Sequence, residues 1–293
     1  DTQTLKYIGK DLYKTHILKE WKRYIVFMTR CHLHKGQIND LLDFFKATPQ
    51  RQAMLEHTTS FVEQTTRAFF YKDSTWDERI AIVKNHIEYM ENIFNDEAIA
   101  KLYVNGERIR LWEDVYEEQP VVMELWFHGG QRKEGCLSLV LSLGADELYQ
   151  IMFWLAPSPE DNELSLWIGA LQGTPNGSEI IKGLTKAFFG YRTKNLIFYG
   201  IRNVAAGLGC KHLYAVSNAG YYAMNHVRRD RKLKTSLDDF WQECEGQVCK
   251  DQRFFEMPIE EYRKSMEELK PSKRAQHRRR FAKMDEITES VPE

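Results

Sequence analysis

Apolar residues recur at helical spacing through the first third of the chain and change to alternation after it. Ile17, Leu18, Trp21, Tyr24, Ile25 and Met28 line one helical face, and Trp76, Ile80, Val83, Ile87, Met90 and Phe94 line another. Ser74, with acidic Asp77 three residues on, reads as the N-cap of the second of these helices. Pro49 and the run Thr58-Thr59-Ser60 separate helices. Asn105-Gly106 suits a tight turn and sets the expected boundary between a helical N-terminal region, 1–105, and a core domain, 106–293.

Beyond that turn the period becomes two. Val121 to Phe127 reads as a buried strand, and Leu137, Leu139, Leu141 and Leu143 alternate with Ser138, Val140 and Ser142. Leu148 to Ala156 predicts a third strand, ended by Pro157 and Pro159, and Leu164 to Ala170 a fourth. Short connections between them imply an antiparallel meander. Helical patterns return at Ile180 to Phe188 and Ile197 to Leu208, with Gly209 placed as a helix-ending residue before a short strand, Leu213 to Val216. Ile259, Tyr262, Met266 and Leu269 form a further helical stripe that Pro271 is expected to stop. The fold class is therefore α+β, a helical N-terminal region followed by a mainly antiparallel sheet flanked by helices.

Composition changes this picture little. The 293 residues are 43% hydrophobic and 28% charged with a net charge of -1, so a nucleic-acid partner has no support from overall charge. Five scattered cysteines without CxxC spacing suit free thiols in a reducing, cytoplasmic setting. The longest apolar run, Ile151 to Ala156, is far short of the ~20 residues of a membrane span. The chain opens on Asp1 rather than Met, which leaves a preceding leader open.

Polar islands sit at the ends of the apolar segments: His128-Gly129-Gly130, Glu134-Gly135, Gln172-Gly173 and Ser217-Asn218. Beside glycine at strand ends, such groups can be held where substrate approaches closely. In order, Phe127-His128-Gly129-Gly130, Glu134-Gly135, Ile168 to Gly173, Thr185-Lys186, Gly190-Tyr191-Arg192, Ala215 to Asn218, Asp239-Phe240-Trp241 with Glu243, Phe254-Phe255 and Pro258 resemble the VirK/YbjX family of Gram-negative bacteria. Arg79 and His86 fall where that family has a similar Arg and a His-Tyr pair, although Ile87 here replaces the Tyr. Glu243-Cys244-Glu245-Gly246 replaces the paired glycines of many members, which leaves the backbone path at Glu245 open. The resemblance covers nearly the whole chain. It implies a link to virulence, to the placing or modification of surface components and to resistance against cationic antimicrobial peptides, and brings no settled catalytic residues.

The residues themselves suggest two functions. A meander, a glycine-containing turn, a helix and then a strand is the order of a Gcn5-related (GNAT-like) acyl or aminoacyl transferase, whose helix N-terminus receives a pyrophosphate from acyl-CoA or another acyl donor. Gln172, Gly173, Gly177 and Ser178 would form that turn and Arg192 would assist; Pro175 stands where the usual spacing has Gly and removes one N–H. His128 would act as general base, with Glu134 facing the same cleft across the turn; Tyr221 and Tyr222 would protonate a leaving thiolate, and Asn218 would hold a carbonyl oxygen. Asp238, Asp239, Trp241, Glu243 and Arg228 would line the site of a basic acceptor, a peptide, protein or lipid-related molecule. His32, His34, His128 and His212 lack the spacing of a strong metal motif, so no metal is expected. The second function is a membrane-peripheral adaptor, in which the basic run within 270–283 (Lys270, Lys273, Arg274, Arg278, Arg279, Arg280, Lys283) meets an anionic surface.

Overall fold

The computed structural model describes residues 2–173, 178–225, 236–261 and 263–290. Among the described residues seven helices precede the sheet: α1 (Thr2–Leu12), α2 (Leu18–Leu33), α3 (Lys35–Lys46), α4 (Pro49–His57), α5 (Ser60–Thr66), α6 (Trp76–Ile93) and α7 (Asp96–Tyr103). The cap of α6 is Thr75, one residue beyond the expected Ser74. The Thr75 hydroxyl accepts from the Glu78 N–H, and the Glu78 carboxylate accepts from the Thr75 N–H. This reciprocal pair satisfies two end-of-helix donors. Ser74 instead donates to the Phe69 carbonyl at 2.7 Å.

Five strands then form the meander: β1 (Ile109–Tyr116), β2 (Gln119–Trp126), β3 (Leu137–Leu143), β4 (Asp146–Pro157) and β5 (Leu164–Gly173). After α8 (Ser178–Ala187) and α9 (Thr193–Gly207), β6 (His212–Val216) joins β5 in parallel. The chain closes with α10 (Leu237–Glu243), β7 (Gln247–Val248), β8 (Phe254–Met257) and α11 (Pro271–Ser290). The sheet order is β1-β2-β3-β4-β5-β6-β8-β7, so β8 enters antiparallel between β6 and β7. β1 is an edge strand whose exposed Arg110 and Glu113 hide its period in the sequence.

Among the described residues, 259–261 and 263–269 do not form the expected helix, and Tyr262 lies outside them. That segment is irregular: Glu261 accepts from the Tyr191 hydroxyl, and the Met266 carbonyl accepts from Arg274 Nε. Pro271 opens a helix rather than stopping one, because at the first helical position its missing N–H costs nothing. Glu245 takes the left-handed backbone, φ +67°, as the chain leaves α10.

The sheet core lies between α6 on one face and α9 on the other. Gly200 of α9 sits against Met123 and Leu139. His86 of α6 is fully buried, and its Nδ1 accepts the Leu155 N–H at 3.1 Å. Its Nε2 lies 2.7 Å from the Tyr103 hydroxyl, which in turn donates to the Cys136 carbonyl. Nε2 must therefore carry the proton, and burial lowers the imidazole pKa to about 3. Arg79 is equally a framework residue, donating to the carbonyls of Thr65 and Ser74.

Candidate active site

The ten-residue connection between β2 and β3, 127–136, is clamped by the helical region. Gln64 of α5 donates through Nε2 to the carbonyls of Arg132, at 2.8 Å, and Gly135, at 2.6 Å. Buried Glu63 pairs with Arg132, and the Phe70 N–H donates to the Lys133 carbonyl at 2.9 Å. Gly135 lies against the backbone of Phe153, and Gly169 against the Glu134 carbonyl; a Cβ at either position would overlap main chain. Only glycine allows so close a crossing.

Gly169 is also the extra residue of a bulge in β5. Met152 pairs with Ala170 and Phe153 with Ile168, skipping it. The parallel pairing of β5 with β6 ends at the same level, Ile168 with Ala215. Past this point the strands have no ladder between them, and Glu134 spans the gap. Its Oε1 accepts from Gln172 Nε2, at the end of β5, at 2.9 Å. The same oxygen accepts from the Tyr221 hydroxyl, beyond β6, at 2.9 Å. Only 4% of Glu134 is exposed, and burial raises its pKa from 4.5 to about 7, against the lowering effect of the two donors. The Tyr221 hydroxyl is pushed up by burial and by the Glu134 charge, so it remains a donor at neutral pH. The result is a proton acceptor poised near neutrality with a hydroxyl hydrogen-bonded to it.

Of the residues singled out in the sequence, Glu134, Gln172 and Tyr221 converge. Tyr222 packs edge-on to Tyr221, with centroids 5.1 Å apart, and to Phe69. His128 does not join them. The short 3-10 turn Gly129–Gln131 separates it from Glu134, and its Nδ1 accepts from the Gly130 N–H at 3.1 Å. Its ring rests on Trp126 and faces a cleft of about 480 Å³ shared with Thr58, Glu63 and Arg132. Burial lowers its pKa.

Asn218 is occupied in joining β6 to α10: its Oδ1 accepts the Leu237 N–H at 2.8 Å, and its Nδ2 donates to Ser236. Asp238 completes the joint by accepting the Asn218 N–H at 2.7 Å. The proposed acceptor cluster does not gather. Trp241 is fully buried and donates to the Val216 carbonyl, whereas exposed Glu243 pairs with exposed Arg192 at 2.6 Å. Asp239 is exposed on the first turn of α10. Gly173 ends β5 and Ser178 opens α8, while Gly177 and Arg228 lie outside the described residues.

The sequence fits a family described as "Protein of unknown function (DUF535)" over residues 16–293. The chain belongs to that family. An "Uncharacterized protein" of Haemophilus influenzae (strain ATCC 51907 / DSM 11121 / KW20 / Rd) is 22% identical over 262 residues, 87% of this chain and 84% of that one. "Uncharacterized protein YbjX" of Escherichia coli (strain K12) is 31% identical over 129 residues, 42% of this chain and 38% of the relative. The VirK/YbjX resemblance is thus borne out. No solved structure matches.

Two features of the DUF535 chain escaped the sequence. Glu63, Gln64, Thr65 and Thr66 are polar yet buried, and nothing in their order marks α5 as the clamp of the Glu134 loop. On the α6 face, Tyr71, Trp154, Trp167, Tyr214 and Phe254 line a cleft of about 780 Å³. Cross-strand pairing could have suggested it, since Trp154, Trp167 and Tyr214 are register partners. Among the described residues no helix is long and apolar enough to cross a membrane.

Proposed function

We propose that the protein is an acyl-group transferase of GNAT-like architecture in which Glu134 moves the proton. The observation that carries this reading is a buried carboxyl of pKa about 7 at the point where two parallel strands part, bonded to a donor from each side. The strand order supports it as well: a meander, a parallel crossover, and a last strand inserted beside β6. In the reaction an acceptor amine attacks the thioester carbonyl and yields its proton to the Glu134 carboxylate. The carbon–sulfur bond breaks, the departing thiolate takes the Tyr221 proton, and Glu134 returns its proton to Tyr221 through their hydrogen bond. Burial, not a charged neighbour, sets the basicity of Glu134 for this exchange.

The acceptor is a peptide with cationic side chains. The aromatic cleft supports that choice: Arg253 already lies over its Tyr71 ring at 4.9 Å and pairs with Asp251, so a cation is held there. Trp167, Tyr214 and Glu160 offer further ring faces and a carboxylate, and Trp154 reaches from the cleft to Gly169, beside Glu134. The test measures thiol release from acetyl-CoA with and without a lysine-rich peptide, beside calorimetric binding of acetyl-CoA. Glu134→Gln should keep donor binding and lose peptide-stimulated release by about 10²- to 10⁴-fold. Absence of donor binding, or an undiminished variant, would overturn the reading.

One observation favours peripheral membrane contact as a second, cytoplasmic role. Arg274, Arg280 and Lys283 are engaged with the Met266 carbonyl, the Phe189 carbonyl and Asp114, but Lys270, Lys273, Arg278 and Arg279 are exposed. These four are free to meet lipid phosphates.

A further inference from the structure

On the α9 face of the sheet, away from Glu134, a small cavity of about 110 Å³ opens between the first turns of α9 and the end of α10. Arg202, only 6% exposed, lines it. Its Nη2 donates to the Cys244 carbonyl at 3.0 Å, and its guanidinium lies 4.6 Å from the centre of the Phe198 ring. Its Nε–H is buried and has no hydrogen-bond partner among the described residues. Asn195, on the same wall, has a buried Oδ1 that also lacks one. Glu261, Glu245 and Glu243 line it too. Both Glu261 carboxylate oxygens lie 3.2 Å from the Tyr191 hydroxyl, and Glu243 is paired with Arg192.

Buried polar atoms are nearly always paired, so an unpaired donor and an unpaired acceptor on two residues that line one cavity point to a shared partner there, reached by a small shift of either side chain. The partner must offer an acceptor to a cation and donors to an amide oxygen and a carboxylate. The cavity has room for roughly three or four waters, at about 30 Å³ each, which is also the size of a very small organic molecule.

We propose that this cavity binds a small zwitterionic α-amino acid, of glycine to serine size, with its carboxylate toward the Arg202 guanidinium and its ammonium toward Asn195 and Glu261. The charges match end to end: a buried guanidinium meets the anion, and a carboxylate meets the cation. Burial raises the Glu261 pKa while nearby Arg202 lowers it, and a bound ammonium would favour the ionised form further. The site is independent of the proposed transfer chemistry, because neither Glu134 nor Gln172 reaches it.

The experiment uses the full chain and follows melting temperature and calorimetric heat with millimolar glycine, alanine and serine. Acetate and methylammonium, alone and together, serve as half-ligands. The expected result is a rise in Tm with the zwitterions that neither half-ligand nor their mixture reproduces. Asn195→Ala should weaken binding by about tenfold or more, and Arg202→Met should abolish it. Asn195 is only half-buried, so its variant keeps the test open if Arg202→Met does not fold. Unchanged Tm with all three amino acids, equal binding by acetate alone, full affinity in Asn195→Ala, or a crystal soaked with glycine that shows only water would each overturn the proposal.

Discussion

Replacing Glu134 by Gln tests the site without needing a substrate. Both hydrogen bonds to the carboxylate fall on Oε1, so the glutamine carbonyl oxygen can accept them from Gln172 and Tyr221 in the same place. What disappears is the titration. The folded-state pKa, about 7, lies above the ordinary 4.5, so the folded protein holds this proton more tightly than the unfolded chain does. The stability contributed by the protonated group is complete below pH 4.5 and is lost as pH rises to about 7. The gap, at about 1.36 kcal/mol for each pH unit, amounts to about 3 kcal/mol. Wild type should therefore lose about 3 kcal/mol relative to Glu134→Gln between pH 4.5 and about 8. Urea unfolding followed by circular dichroism across that window measures the difference, in which every other titrating group cancels. A difference that stays flat across the window would show that Glu134 is not held as described, and the proton-transfer role would fall with it.

Other outcomes follow from the same geometry. His86, held neutral with a pKa of about 3, should make wild type lose about 5 kcal/mol as pH falls from 6.5 to 3; His86→Gln should flatten that acid limb in urea titrations. Gly169→Ala forces a Cβ into the Glu134 carbonyl, so it should cost about 3 kcal/mol in urea unfolding and reduce the pH signature of Glu134. His128→Ala should leave that signature and the transfer rate intact, because His128 faces a different cleft. Neutralising Lys273, Arg278 and Arg279 together should weaken binding to anionic vesicles about a hundredfold in sedimentation assays, at about 1 kcal/mol per charge, with Tm unchanged.

Elements long enough to show a period were readable from the chain. The helices α6, α8 and α9 and the strands β2 to β5 all appear where their apolar positions place them. β7 and β8 are two and four residues long, too short for any period, and β1 hides behind its edge charges. Glu134 and Gln172 stood out because each precedes a glycine at the end of an apolar run. Their convergence with Tyr221 depends on a bulge and on the end of a strand pairing, which are properties of the sheet and not of any local stretch. Asn218 misled because its partners, Ser236, Leu237 and Asp238, return to it from about twenty residues away. Local reading sees an amide at a strand end and cannot see the helix it caps.

The place of β8 has a consequence for synthesis on the ribosome. The Ser217 N–H and hydroxyl bond to the carbonyls of Arg253 and Gln252, and Gly220 packs on the Arg253 carbonyl, so the approach to Tyr221 is shaped by main chain made more than thirty residues later. Until Phe254–Met257 leaves the exit tunnel, β6 presents a bare edge and Tyr221 has no fixed seat. Translation that stops short of this strand yields a fragment with an open, aggregation-prone sheet edge, not a slightly weakened fold.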